Sequence, residues 1–222
     1  MPIKEFTDFV LGSLAALFPV IDPIGSVPIF LVLTAGVPEM LRRSYARRIA
    51  RNVVILLVFF LLVGGGILRF FGVSLEVVRI AGGIVVFHAA WNTMNAESKL
   101  SDVENQDVIQ KAGQHKDISF MPMTIPLLAG PGAIAVALGL AAEASRGEEI
   151  GKTAMNITAI AVAIALIGLI IYIALRTSTL LLKGLGASGI HALSRLLGLF
   201  VMAIGVQLIL NGLSDWIQSL NV

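Results

Sequence analysis

The sequence predicts an all-α, multi-pass membrane protein of six hydrophobic spans, arranged as two inverted three-helix repeats with the first and fourth spans broken at mid-membrane. Three observations predict it. Of 222 residues 57% are hydrophobic and 14% charged, and the mean hydropathy is +0.91, more apolar surface than a soluble domain of this size hides in one core. Six apolar stretches are long enough for a hydrocarbon layer of roughly 30 Å, which takes about 20 residues of helix. Proline and glycine interrupt two of them at matching places.

The spans run from about Phe9 to Ala35, Val53 to Phe71, Val73 to Met94, Ile118 to Ala142, Ala154 to Leu175 and Leu193 to Leu213. They leave no room for a soluble domain, so residues 1–222 form a single transmembrane domain: repeat one over about 1–96, a loop over about 97–117, and repeat two over about 118–222. The apolar stretch after Lys4 is longer than the hydrophobic region of a signal peptide, so it is expected to be retained as the first span.

The first span contains Pro19, Asp22, Pro23, Gly25, Ser26 and Pro28, and the fourth contains Pro122, Thr124, Pro126, Gly130, Pro131 and Gly132. Each proline deletes a backbone donor and crowds the preceding turn, and glycine admits non-helical angles. Neither span is expected to be continuous. Asp22-Pro23 reads as a helix start, with the carboxylate as N-cap and proline in the first position, and Gly130-Pro131 makes the same start without a side chain. The second, third, fifth and sixth spans read as uninterrupted, although Gly64, Gly65 and Gly66 can bend the second. Gly198, Gly205 and Gly212 form one stripe on the sixth, read as a close-packing surface.

Overlaying Pro19 on Pro126 and Gly25 on Gly132 gives a separation of 107 residues, and Arg79, Gly82, Val85 and Asn95 fall on Arg195, Gly198, Val201 and Asn211 at 116. Broken spans at corresponding positions are the mark of a repeat, and an odd number of spans per repeat makes the second copy enter from the opposite side. The charges give the orientation. Arg42, Arg43, Arg47, Arg48, Arg51, Lys99, Lys111, Lys116, Arg176, Lys183 and Arg195 fall on one side, against Lys4, Arg69, Arg79, Arg146 and Lys152 on the other. The positive-inside rule then puts both termini outside. The same rule accounts for a formal charge of +2 and a pI near 9.2 without a nucleic-acid partner.

Half-helices meeting inside a membrane expose N–H groups at one end and C=O groups at the other, which suits a small zwitterion. A carboxylate would take the N–H groups of Ile24, Gly25 and Ser26 or of Gly132 and Ala133, and an ammonium would take freed carbonyls with Asp22. Asp22 is the one acid well inside a span, where a charge costs about 2.5–3.5 kcal/mol even on the lenient scale. Two readings are open there, a ligand for an amine or proton and a structural cap. Because the cap would compete for the same N–H groups, the substrate carboxylate is expected near Gly130 to Ala133. His88 is a candidate proton relay beside Asp22, with a satisfied interior histidine as the alternative. Trp91, Asn92 and Asn95 read as an interfacial belt.

The stretches DPIGSVPIF, PLLAGPGAIA, RIAGG and RLLGLFVMAIGVQLILNG, which span nearly the whole chain, resemble the MarC family. They are similar in particular to its SnatA-type small neutral amino acid transporters, within a LysE-like superfamily. The resemblance implies a multi-pass transporter of a prokaryotic cytoplasmic (inner) membrane, and it carries the paired breaks onto Asp22, Pro23, Ile24 and Gly25 and onto Gly130, Pro131 and Gly132. With Ser26, Thr124 and Ala133 these form the candidate substrate-binding set. Asp22 stands where many relatives carry Asn.

The expected function is therefore secondary transport of a small solute, with small neutral amino acids as the substrate class and lipid as the solvent. A coupling ion and an oligomeric assembly are both compatible with the sequence. No cofactor or metal is implied: the chain has no Cys and no His-Glu-x-x-His motif. An aspartyl mechanism needs two membrane carboxylates, whereas Asp215 sits near a span end, so an enzyme is not expected. A channel or an exporter of another metabolite is the alternative, since channels also use broken helices.

Overall fold

The computed structural model describes residues 2–95, 117–144 and 150–220. They are helical, with no strand among them: α1 Pro2–Ile21, α2 Ser26–Leu33, α3 Glu39–Phe70, α4 Leu75–Asn95, an irregular segment 117–130 holding a π-type turn over Met123–Leu128, α5 Pro131–Ala144, α6 Ile150–Arg176 and α7 Ser178–Leu220. The charged loop expected over 97–117 lies, apart from Asp117, outside the described residues.

Four helices, α3, α4, α6 and α7, are long and apolar enough to cross a membrane, and α1 with α2 makes a fifth span bent by 51°. The chain is thus a multi-pass helical membrane protein. Its exterior is dressed for lipid: Ile55, Phe59 and Leu62 on α3 and Leu169 and Ile173 on α6 are exposed. The interior faces recur at helical spacing. Ala46, Ile49, Val53 and Leu57 on α3 and Ile160, Ile164, Ile167 and Ile171 on α6 are fully buried, and α1 adds Val10 beside Ala159 and Ala163. Because lipid tails are as apolar as these side chains, close packing supplies the association energy. Gly168 accordingly sits against Val54, and Gly64 against Leu138.

The glycine stripe packs as its spacing predicts. A methyl group at Gly198 would meet Met94 Cγ at 3.0 Å, one at Gly205 would meet Phe87 N at 2.8 Å, and one at Gly212 would meet Glu76 O at 2.8 Å. As the number rises on α7 it falls on α4, so the two helices run antiparallel with backbones nearly touching. Gly83, where a methyl group would meet Gly205 O at 2.6 Å, completes the seam from the other side.

Three elements differ from expectation. The arginine-rich stretch placed in a loop is the first third of α3: arginine and alanine are good helix formers, Glu39 begins the helix, and Arg43 Nη2 donates to Glu39 Oε1 one turn away. The sixth span is longer than drawn, 43 residues interrupted at Gly186 (φ 66, ψ 168), an angle pair open to glycine. The fourth span contains one regular helix, the 14-residue α5. Pro122 and Pro126 remove donors from the preceding turns, and Ile125 takes an extended conformation (φ −117, ψ 127), leaving a π-type turn in place of a first half-helix.

Candidate functional site

The first break is a four-residue turn. α1 ends at Ile21, Asp22 adopts the left-handed region (φ 43), and α2 begins at Ser26. The turn is closed by Asp22 from both ends: Gly25 N–H donates to Asp22 Oδ1 at 2.9 Å, and Ser26 N–H donates to Asp22 O at 3.2 Å. That is the bonding of an N-cap with Pro23 in the first helical position. The Ser26 hydroxyl turns back to Pro23 O at 2.8 Å. Of the three N–H groups offered to a ligand by the sequence, those of Gly25 and Ser26 are therefore taken.

The second break repeats the backbone pattern with no side chain in the cap. Ile134 N–H donates to Gly130 O at 3.1 Å, and Pro131 follows the cap. The N–H groups of Gly132 and Ala133, in the first turn of α5, have no carboxylate to occupy them. Gly130 is needed for closeness: a Cβ there would lie 2.5 Å from Pro126 O. The equivalent caps, Asp22 and Gly130, are one residue out of step with the overlay of Pro19 on Pro126, a slip that the irregular turn after Pro126 absorbs.

The two breaks meet. A methyl group on Gly132 would touch Val86 Cγ2 of α4 at 3.1 Å and Val20 Cγ1 of α1 at 3.5 Å, two residues before Asp22. α7 closes the first break from the side. Ser194 Oγ would lie 2.5 Å from a Cβ on Gly25, the same hypothetical Cβ that would strike Asp22 Oδ2. This hydroxyl is buried and faces the Asp22 carboxylate.

The remaining predicted residues are less central. Thr124 is fully buried, but its hydroxyl donates to Ser119 O at 2.6 Å and its carbonyl accepts from Ala129 N at 2.8 Å, so its polar groups serve the π-type turn. His88 lies on the exposed face of α4, opposite Gly82, Gly83, Val86 and Ala90. Trp91 is exposed and stacks on Phe87, ring centroids 6.4 Å apart. Sequence reasoning missed Ser194. Its only signal was a hydroxyl beside Arg195, a residue already in the second overlay.

Arg79, counted with the charges of the less basic side, is 5% exposed and paired with Asp215 of α7, while its Nη2 donates to Gly139 O of α5 at 3.3 Å. A guanidinium this far inside needs its partner, and antiparallel α4 and α7 bring the carboxylate to the same end. A groove of about 180 Å³ beside it is lined by Ala16, Arg79, Gly139, Glu143, Gln207 and Asn211, among others. A larger cavity of about 520 Å³ lies where α3 turns into α4, near Arg69 and Glu76, away from both breaks.

The family model described as "MarC family integral membrane protein" matches residues 7–217. Among relatives, a UPF0056 membrane protein of Methanocaldococcus jannaschii is 34% identical over 92% of this chain and 95% of its own. UPF0056 membrane protein YvbG of Bacillus subtilis is 35% identical over 92% and 94%, and YhcE of Escherichia coli 30% identical over 95% of each. No solved structure matches the chain.

Proposed function

The chain belongs to the MarC family of integral membrane proteins, and from that premise we propose that it is a secondary transporter carrying a small zwitterion, of the small neutral amino acid class, by alternating access between its two helix breaks. The observation that carries this reading is the meeting of two N-cap turns with complementary vacancies. At one, Asp22 and the Ser194 hydroxyl that faces it form an acceptor-rich corner for an ammonium or a coupling proton. At the other, the first-turn N–H groups of Gly132 and Ala133 are free for a carboxylate. Irregular backbone at this depth is tolerated where it lines a wet cavity.

Two ion pairs support six crossings. Arg48, near the start of α3, donates to Asp117 Oδ2 at 2.7 Å, so those residues share one membrane face. Arg79, after α3 has crossed, pairs with Asp215 at the other face. Between Asp117 and Asp215 the chain must cross an odd number of times, and α6 with α7 supplies two. The segment 117–144, turn plus α5, supplies the third. We read this as two three-crossing halves, the second inverted, and the positive-inside rule then favours both termini outside the cytoplasmic membrane of a prokaryote.

Reconstitution into liposomes tests the proposal. Uptake of labelled glycine, alanine or serine that saturates and shows counterflow is the expected result. Unsaturable flux would make the breaks a channel, and no flux of any small amino acid would remove the substrate class. The protein acts without changing its solute chemically.

A further inference from the structure

The groove beside Arg79 is a second polar place in the membrane, outside the paired breaks. Gln207 and Asn211 stand on the outward face of α7, one turn apart, with Gln207 Nε2 donating to Asn211 Oδ1 at 2.7 Å. Facing lipid, the rest of these amides would be unsatisfied, a cost that membrane helices avoid. Water or a polar solute in the groove would satisfy them. One wall is the guanidinium of Arg79. Two of its nitrogens donate, Nη1 to Asp215 and Nη2 to Gly139 O, out of five N–H groups in a planar fork. Glu143, at the exposed end of α5, supplies a carboxylate on the same wall. Asp215 is not a groove wall: it stands behind the guanidinium.

We infer that this groove is a transit site for the carboxylate of a small solute, which Arg79 binds by exchanging its partner Asp215 for the solute. Guanidinium matches carboxylate geometry as ammonium does not, and a bidentate pair is among the strongest hydrogen-bonded contacts. Glu143 offers the opposite charge, so the groove accepts the two ends of a zwitterion in a fixed direction. Its volume, about 180 Å³, is below the roughly 300–1,000 Å³ of pockets for drug-sized ligands. It therefore admits solutes of a few heavy atoms. Val136 and Gly139 of the same wall lie on α5, the helix whose first turn is the second break, so the groove leads along α5 toward it. The inference rests on the transport reading and adds a station on the side where Asp215 lies.

The chain has no Cys, so Asn211→Cys places a single thiol at the groove. Its alkylation by a maleimide is followed in proteoliposomes with glycine, alanine or lactate added, and with alaninamide, which lacks the carboxylate. The carboxylates should slow alkylation several-fold and alaninamide should not. In an Arg79→Gln background, protection should need at least ten-fold more alanine. The exchanged pair, Arg79→Asp with Asp215→Arg, separates binding from architecture. It should restore the melting temperature without restoring protection. Equal protection by alaninamide, protection that survives the exchange, or no protection by any carboxylate would overturn the inference. If neither Arg79 variant folds, alanine against alaninamide on Asn211→Cys alone decides. Labelled uptake is measured in parallel: uptake without protection leaves the carrier and removes the site, and protection without uptake does the reverse.

Discussion

Asp22 caps the first break, and one substitution separates that role from the one proposed for its charge. Its Oδ1 caps Gly25 N–H and its backbone sits at φ 43, where Asn is the best tolerated replacement and other side chains cost about 1–2 kcal/mol. Asp22→Asn keeps both the acceptor and the conformation, so its melting temperature should stay near that of the parent. If the charge serves an ammonium or a proton, uptake by this variant should weaken about ten- to a hundred-fold in apparent affinity, or lose its pH dependence. Equal uptake across pH 5 to 8 would leave Asp22 as a cap alone. Ser194→Ala gives the complementary reading: it deletes the hydroxyl that faces Asp22 and leaves the Gly25 cap in place, so stability should hold while uptake falls. A loss of folding in Ser194→Ala would show that the hydroxyl is already satisfied. At this scale the sequence was informative about Asp22, whose Pro-Gly context declares a cap, and silent about Ser194. Pairing across 172 positions of chain leaves no local trace.

Elements were legible where one rule dominated. Seven-residue spacing gave the α7 stripe, and its partner Gly83 lay in the RIAGG stretch of α4. The prolines at 122 and 126 announced that helix would fail, but not that a π-type turn would replace it, because the outcome depends on what Thr124 and Ser119 bond in three dimensions. The arginines at 42–51 fall between the first two drawn spans because a hydropathy boundary marks where lipid ends and not where helix ends. The seam between α4 and α7 makes its own prediction. Gly205→Leu would drive a side chain into Phe87 N and Gly83 O, both backbone atoms, and overpacking costs typically 1–3 kcal/mol and more where backbone must move. Gly65→Leu meets nothing within 4 Å and serves as control. The Gly205 variant should melt several degrees lower in detergent while the control stays near the parent. Equal melting of both would mean that the seam is looser than these distances.

For the whole molecule, orientation is the first test. Ser219→Cys and Met40→Cys lie at opposite ends of the structure, both exposed. The first should react with an impermeant maleimide on intact cells, the second after permeabilisation. The reverse order would sink the orientation, and labelling of both from one side the inverted halves. The Arg48–Asp117 tie gives a pH signature. Partial burial pushes the Asp117 carboxyl up, but the hydroxyl and N–H of Ser119 and the Arg48 guanidinium outweigh it and hold the group below its ordinary value. A carboxylate with a depressed folded-state pKa stabilises at neutral pH, and that contribution is lost as pH falls through the folded value. The fall in melting temperature below about pH 4 should therefore be smaller in Asp117→Asn than in the parent, and an identical fall would mean that the tie does not hold the fold.

Length sets a further constraint. At about 1.5 Å per residue, the 32 residues of α3 reach roughly 48 Å, well beyond a hydrocarbon layer of about 30 Å. Its arginine-bearing third must stand among lipid headgroups, where each basic side chain gains about 1 kcal/mol from an anionic surface. Sliding α3 inward by a turn would drag Arg51 and then Arg48 into hydrocarbon at about 2.5–3.5 kcal/mol each. α3 is thereby a post of fixed height, and through Asp117 it holds the start of the fourth segment at the same level. If the proposed transport holds, α3 and the segment tied to it through Asp117 are the parts that stay at one depth while other helices tilt or rotate around them.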